Sequence, residues 1–218
     1  MSINLTKGQR IDLTKGTSLT LLKVGLGWEP NTGRLEKGEI KEKKKTFLGS
    51  IGDVLSRSVA SISEKKNNFD LDSSIFLLDT NNKMVELVYF GNLKDSNECV
   101  VHKGDNLTGV GIKGADKENI IVNLPKIPQQ VNKLVFVVNI YQCRSRGQHF
   151  GMIGGAFIHI NDENTNKELC RFNLTEDYSG KTALMVGEIY RHGNEWKFFA
   201  VGEGTNDESL TEMSQKYK

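Results

Sequence analysis

Proline, cysteine and long apolar runs are all scarce in this chain, and each scarcity removes a class of protein. Three prolines and 22 glycines among 218 residues argue against a collagen-like or disordered polymer. The three cysteines, Cys99, Cys143 and Cys170, are odd in number and lack CxxC spacing. That argues against a zinc ribbon and for a reducing, cytoplasmic setting. Each sits among apolar or strand-like neighbours, as an inert small hydrophobe does. No stretch approaches the roughly 18 apolar residues of a membrane span. Met1 to Leu5 opens no run of signal-peptide length, and Tyr217-Lys218 is neither a lipidation box nor a sorting tag. The expectation is a soluble, cytoplasmic protein. No GxSxG elbow appears, and His102, His149, His159 and His192 are scattered, so nucleophilic catalysis has little support.

What is present is alternation. Segments 2–6, 10–13, 17–25, 73–78, 84–90, 119–124, 132–141, 154–160, 168–174, 182–190 and 195–202 alternate in period two and are rich in Val, Ile, Phe and Tyr. Turn chemistry separates them at Asn81-Asn82, at Asp162 to Asn166 and at His192-Gly193-Asn194. Strands at this spacing without intervening helices predict an all-β fold, an antiparallel β-sandwich. Leu5-Thr6-Lys7-Gly8 recurs as Leu13-Thr14-Lys15-Gly16, which reads as two similar strand-turn units. A short C-terminal helix is expected from Ser209 to Tyr217, capped by Asp207 or Ser209.

One insertion, at about 34–66, breaks the single domain of 1–218. A charged run from Arg34 to Lys45 leads into Phe47, Leu48, Ile51, Val54, Leu55, Val59 and Ile62, spaced as one face of an amphipathic helix. Lys43, Lys44, Lys45, Phe47, Leu48 and Ile51 are its candidate contacts to an anionic membrane or a partner. Self-docking on the sheet, or a mobile loop, is the plainer alternative. Interleaved glutamates and few aromatics argue against nucleic acid.

The net charge of +2 hides two opposed regions. Residues 34–66 carry +4, whereas 69–118 carry −4. The negative excess gathers in Phe69-Asp70-Leu71-Asp72-Ser73-Ser74 and in Gly104-Asp105-Asn106-Leu107-Thr108-Gly109, which runs on to Asp116 and Glu118. Asp70, Asp72, Asp105, Asn106, Thr108, Asp116 and Glu118 together offer carboxylate, amide and hydroxyl oxygens. That is the mixture a hard cation such as Ca²⁺ takes. Taken alone, Asp70 and Asp72 read as a solvated strand edge; with the second loop added, a metal site is the better reading. His102, close to that loop, reads as solvent-facing or as a group behind the ligands. Gly109 to Gly114 matches GxGxxG, but it follows no strand and opens no helix. The Gly104 loop lacks a P-loop Lys, and the Asp70 segment lacks the glycine and glutamate of an EF-hand.

These strings resemble the TerD family of tellurium-resistance and stress-response proteins over nearly the whole chain. The resemblance is carried by Gly25-Leu26-Gly27-Trp28, the two acidic segments, Phe90-Gly91-Asn92-Leu93 and Gly187-Glu188-Ile189-Tyr190-Arg191-His192-Gly193 with Trp196-Lys197-Phe198. The insertion with Phe47-Leu48-Gly49 looks closer to the TerZ-like branch. The resemblance implies a β-sandwich binding one or two Ca²⁺ ions, with Asp70, Asp72, Asp105 and Asn106 matching the family's motif. Departures stand at Asn68, where the family usually has an acid, and at Val110 and Ile112 with the neighbouring lysines, which dilute the second loop. Fewer carboxylates imply a weaker site. The expected function is a non-enzymatic, calcium-binding scaffold or sensor in stress response. Its implied partners are other Ter-type proteins and a TerC-type membrane protein. The alternatives are a peripheral membrane adaptor working through the insertion and, less favoured, a metal-assisted enzyme.

Overall fold

Alternation gives each strand one face for a core and one for solvent, and twelve strands use it in the computed structural model, which describes residues 2–30, 69–104, 116–174 and 176–218. The first sheet holds, in spatial order, β1 (Ile3–Leu5), β10 (Lys167–Asn173), β9 (Ile153–Asp162), β3 (Leu21–Pro30), β7 (Glu118–Asn123) and β6 (Val100–His102). The second holds β2 (Arg10–Asp12), β12 (Glu195–Thr205), β11 (Ala183–His192), β8 (Lys133–Ile140), β4 (Leu71–Leu78) and β5 (Met84–Val88). Neighbours are antiparallel except β1, which runs parallel to β10.

The main core lies between the sheets. Leu22, Val24 and Leu26 of β3, with Ile120 and Val122 of β7, face Leu71, Ile75 and Leu77 of β4 and Leu134 and Phe136 of β8 in one cluster. A second, smaller cluster forms on the outer face of the second sheet. There Phe76, Leu78, Val135 and Val137 are covered by Met213 of the C-terminal helix. β4 is therefore buried along both faces, which fits its interior position between β8 and β5.

The expected sandwich and C-terminal helix are present. The first helix (α1, Cys143–Arg146) follows β8, and the second (α2, Leu210–Ser214) is capped by Ser209 Oγ, which accepts from the Glu212 N–H. The Leu-Thr-Lys-Gly repeat has a physical cause. Leu5 ends one edge strand and Leu13 directly follows another, each with a buried side chain, and each is followed three residues later by a glycine with φ of +85° or +67°. One unit borders each sheet.

Boundaries differ from expectation at two places that matter for the site. β4 begins at Leu71 rather than residue 73, so Asp72 lies inside the strand. Val100–His102 forms a short edge strand that the sequence did not announce. The insertion at 34–66, with Lys43, Lys44, Lys45, Phe47, Leu48 and Ile51, lies outside the described residues, as does 105–115 with Asp105, Asn106 and Thr108. No helix among the described residues is long and apolar enough to cross a membrane.

Candidate metal centre

The first acidic segment is anchored by its apolar members. Phe69 and Leu71 are buried in the main core, and the backbone carbonyl of Asp70 accepts from the Tyr141 N–H at 2.8 Å just beyond β8. Strand parity then fixes the polar members. Leu71, Ser73 and Ile75 face inward, whereas Asp72 and Ser74 share the outer face with Phe76. Asp72 stands opposite Asn139 of β8. The Asn139 Oδ1 and the Ser74 Oγ are both buried without a hydrogen-bond partner among the described residues.

Burial rules out the solvated-edge reading. Asp70 is 9% exposed and Asp72 6%, and the strand that follows Asp70 is interior to its sheet. Burial also pushes the Asp70 carboxyl above its ordinary value of 3.8. Arg146, with Nη1 4.0 Å from Asp70 Oδ2, opposes that shift, and the nearby Glu118 carboxylate adds to it. Burial outweighs the guanidinium.

Glu118 opens β7 at an inward position, in register with the core residues Ile120 and Val122. Its side chain therefore enters the space between the sheets rather than solvent, at 2% exposure. Glu118 Oε2 accepts from the Ser73 N–H at 2.8 Å, which ties β7 of one sheet to β4 of the other. Its second oxygen, Oε1, is buried with no hydrogen-bond partner among the described residues, and so is Asp70 Oδ1. Two mutually repelling buried carboxylates, each with an orphaned oxygen, are costly unless a cation or proton joins them. The donors are all oxygen, which suits a hard cation over zinc or copper.

His102 lies behind these carboxylates. It is 2% exposed, so the solvent-facing reading fails because β6 turns the ring into the sandwich. Its Nε2 is 2.9 Å from Ser73 Oγ and 3.7 Å from Glu118 Oε2, and its Nδ1 accepts from the Gly104 N–H at 3.1 Å.

Asp116 takes another course. Two residues before Glu118, it lies over Gly25 on the outer face of the first sheet, 2.5 Å from His159 Nε2 and 3.7 Å from Lys23 Nζ. His159 Nδ1 in turn meets Asn161 Oδ1 at 2.9 Å and Glu168 Oε2 at 3.3 Å. Gly25 is needed there, since a Cβ would fall 2.2 Å from His159 Nε2. Of the residues expected to hold metal, Asp70 and Glu118 lie near enough for their charges to repel, Asp72 is buried opposite Asn139, and Asp116 is engaged with His159. Among the described residues no three His, Cys, Asp or Glu side chains converge on one metal position, and Asp105, Asn106 and Thr108 lie outside them. The sequence reading missed Ser73 and Asn139, whose signal was only their place beside, or opposite, an aspartate.

An open groove of about 620 Å³ runs along Phe150, Ile153, Gly155, Leu174 and Tyr178 and shares no lining residue with the acidic cluster. The three cysteines are free and buried.

Comparison with known proteins agrees with the strings that the sequence displays. Stress response protein SCP2 of Bacillus subtilis (strain 168) is 45% identical over 221 residues, covering 100% of both chains. Tellurium resistance protein TerD of Serratia marcescens is 36% identical over 94% of this chain and 91% of its own. The crystal structure of a homologue of telluride resistance protein (TerD) from Streptomyces coelicolor A3(2) superposes with a TM-score of 0.61. It covers 92% of this chain and 99% of that one, and its 14% identity makes it a likeness of fold. The TerD domain matches residues 1–217, and the chain belongs to the TerD family.

Proposed function

We propose that this TerD-family protein is a non-enzymatic, calcium-binding scaffold or sensor of the stress response. The observation that carries the reading is the pair of buried carboxylate oxygens on Asp70 and Glu118 that have no hydrogen-bond partner among the described residues. Where calcium binds, it supplies the positive charge those oxygens lack and draws the two acidic segments together. Asp70 and Glu118 would hold it, with the 105–108 segment completing an oxygen shell, while Asp72 lies on the outer face of β4. The protein's own contribution is orientation. The Ser73 N–H fixes one Glu118 oxygen, leaving the other free for the ion. A surface stiffened in this way is one that a partner recognises only in the loaded state. The separation of the open groove from the carboxylates favours a structural ion over one that polarises a substrate. The free, buried thiols suit a cytoplasmic setting, and a TerC-type membrane protein is the partner that family resemblance supplies.

Thermal unfolding tests the reading. At a calcium concentration 100 times Kd the stabilisation is about 2.7 kcal/mol. For a domain of this size that raises Tm by about 5–10 °C. Asp70→Asn or Asp105→Ala is expected to remove most of the increase. A melting curve unchanged across millimolar calcium rejects the proposal.

A further inference from the structure

We infer that His102 is a positioning residue for calcium: its ring pins the first acidic segment to the entrance of the second. This rests on the calcium reading above and concerns a side chain that need not touch the ion.

The two ring nitrogens serve different segments. A backbone N–H can only donate, so Nδ1, 3.1 Å from the Gly104 nitrogen, is the acceptor. The ring proton then sits on Nε2, which donates to Ser73 Oγ at 2.9 Å. Gly104 immediately precedes Asp105, and Ser73 immediately follows Asp72. The imidazole thus spans from one acidic segment to the other. The same serine donates its backbone N–H to Glu118, and His102 Nε2 lies 3.7 Å from that carboxylate. Ser73, His102 and Glu118 come from three different strands and both sheets.

A core histidine is a costly choice for packing alone. Neighbours at this end are Val100 and Ile120, both buried, and a leucine would avoid burying two ring nitrogens beside them. Both nitrogens are spent on groups that border the acidic segments, which is how residues behind a metal's ligands fix ligand orientation. Gly104 is suited to the bond, because its φ of +109° turns the chain so that its N–H meets the ring two residues back.

The test separates aiming from folding by measuring calcium affinity and metal-free stability on the same full-length variants. Calorimetry with calcium chloride alone is run on the wild type, His102→Asn, Ser73→Ala and the double variant. Thermal melting is run on each in chelator. The asparagine keeps an acceptor for the Gly104 N–H but is too short to reach Ser73. Ser73→Ala removes the hydroxyl and keeps the backbone N–H that holds Glu118. Each single change is expected to weaken calcium binding about tenfold, at the lower end of the range for groups behind the ligands. The double variant is expected to be no weaker than the worse single, because both changes remove the same bond. Wild-type affinity in both singles overturns the inference, even where metal-free melting falls, since that pattern marks a packing role. Losses that multiply in the double variant also overturn it. A wild type that gives no binding heat overturns the calcium reading itself, and the inference with it, a failure visible before any variant is titrated.

Discussion

Asp70 is strained electrostatically rather than sterically. Its carboxyl is raised above 3.8 mainly by burial, so the stability it contributes is fully present below its unfolded value and is lost as pH rises through the raised one. At pH 7 without metal, the ionised group therefore works against folding. Asp70→Asn is expected to melt higher than the wild type in chelator at pH 7, with the gap closing as pH falls towards 4. The same variant is expected to lose most of its stabilisation by calcium. An equal or lower metal-free melting temperature at pH 7 contradicts this account. The cysteines make a second case at this scale. Cys99 is pushed up to about 12 by burial and by Asp95, whose Oδ2 accepts from the thiol at 3.2 Å, and Cys170 to about 12 chiefly by burial. Burial raises Cys143 as well. Because the thiolate is the reactive form, a thiol reagent at pH 8 is expected to label none of the three in the native protein and all three in denaturant. Asp70 and Glu118 were visible in the sequence because the negative excess of 69–118 sets their segments apart in a chain of nearly balanced charge. Ser73 was not, and His102 was read first as solvent-facing, because both acquire their role only from a side-chain contact between the two sheets, 29 residues apart in the chain.

At the scale of elements, β3 shows how one small residue shapes a sheet face. Gly25 lies between Asn119 of β7 and His159 of β9, and the space above it is filled by the His159 ring and the Asp116 carboxyl. Gly25→Ala is expected to cost about 1–3 kcal/mol, the usual penalty for forcing atoms into a filled space. Urea unfolding measures it, and a neutral result would mean that the His159 pair can shift freely. Most elements were legible beforehand, because period-two alternation with turn residues between is a local signal. β11 and β12, closed by Gly193 at φ +62°, are the clearest example. β6 escaped notice because three residues are too few to show a period. β4 was read two residues short because the apolar alternation becomes plain only after Asp72, its outer face being polar at one end and apolar at the other.

Over the whole molecule, sheet membership is what the sequence withheld. β3 pairs with β9 and β7, and β4 with β8, across long separations that no local pattern encodes. Those pairings bring β4 and β7, members of opposite sheets, close enough for Ser73 to bond Glu118. The metal reading thereby becomes a property of the sandwich rather than of either acidic segment alone. Resemblance to the TerD family supplied the architecture in advance, and the comparison at 45% identity over the full chain supports it. The central claim is that Asp70 and Glu118 share a divalent ion held between the sheets. Calorimetric titration of the chelator-stripped wild type with calcium tests this most directly, with Glu118→Gln alongside. Saturable binding of one or two ions in the wild type, weakened at least tenfold in the variant, is the predicted result. No saturable heat in the wild type, or wild-type affinity in Glu118→Gln, would contradict it.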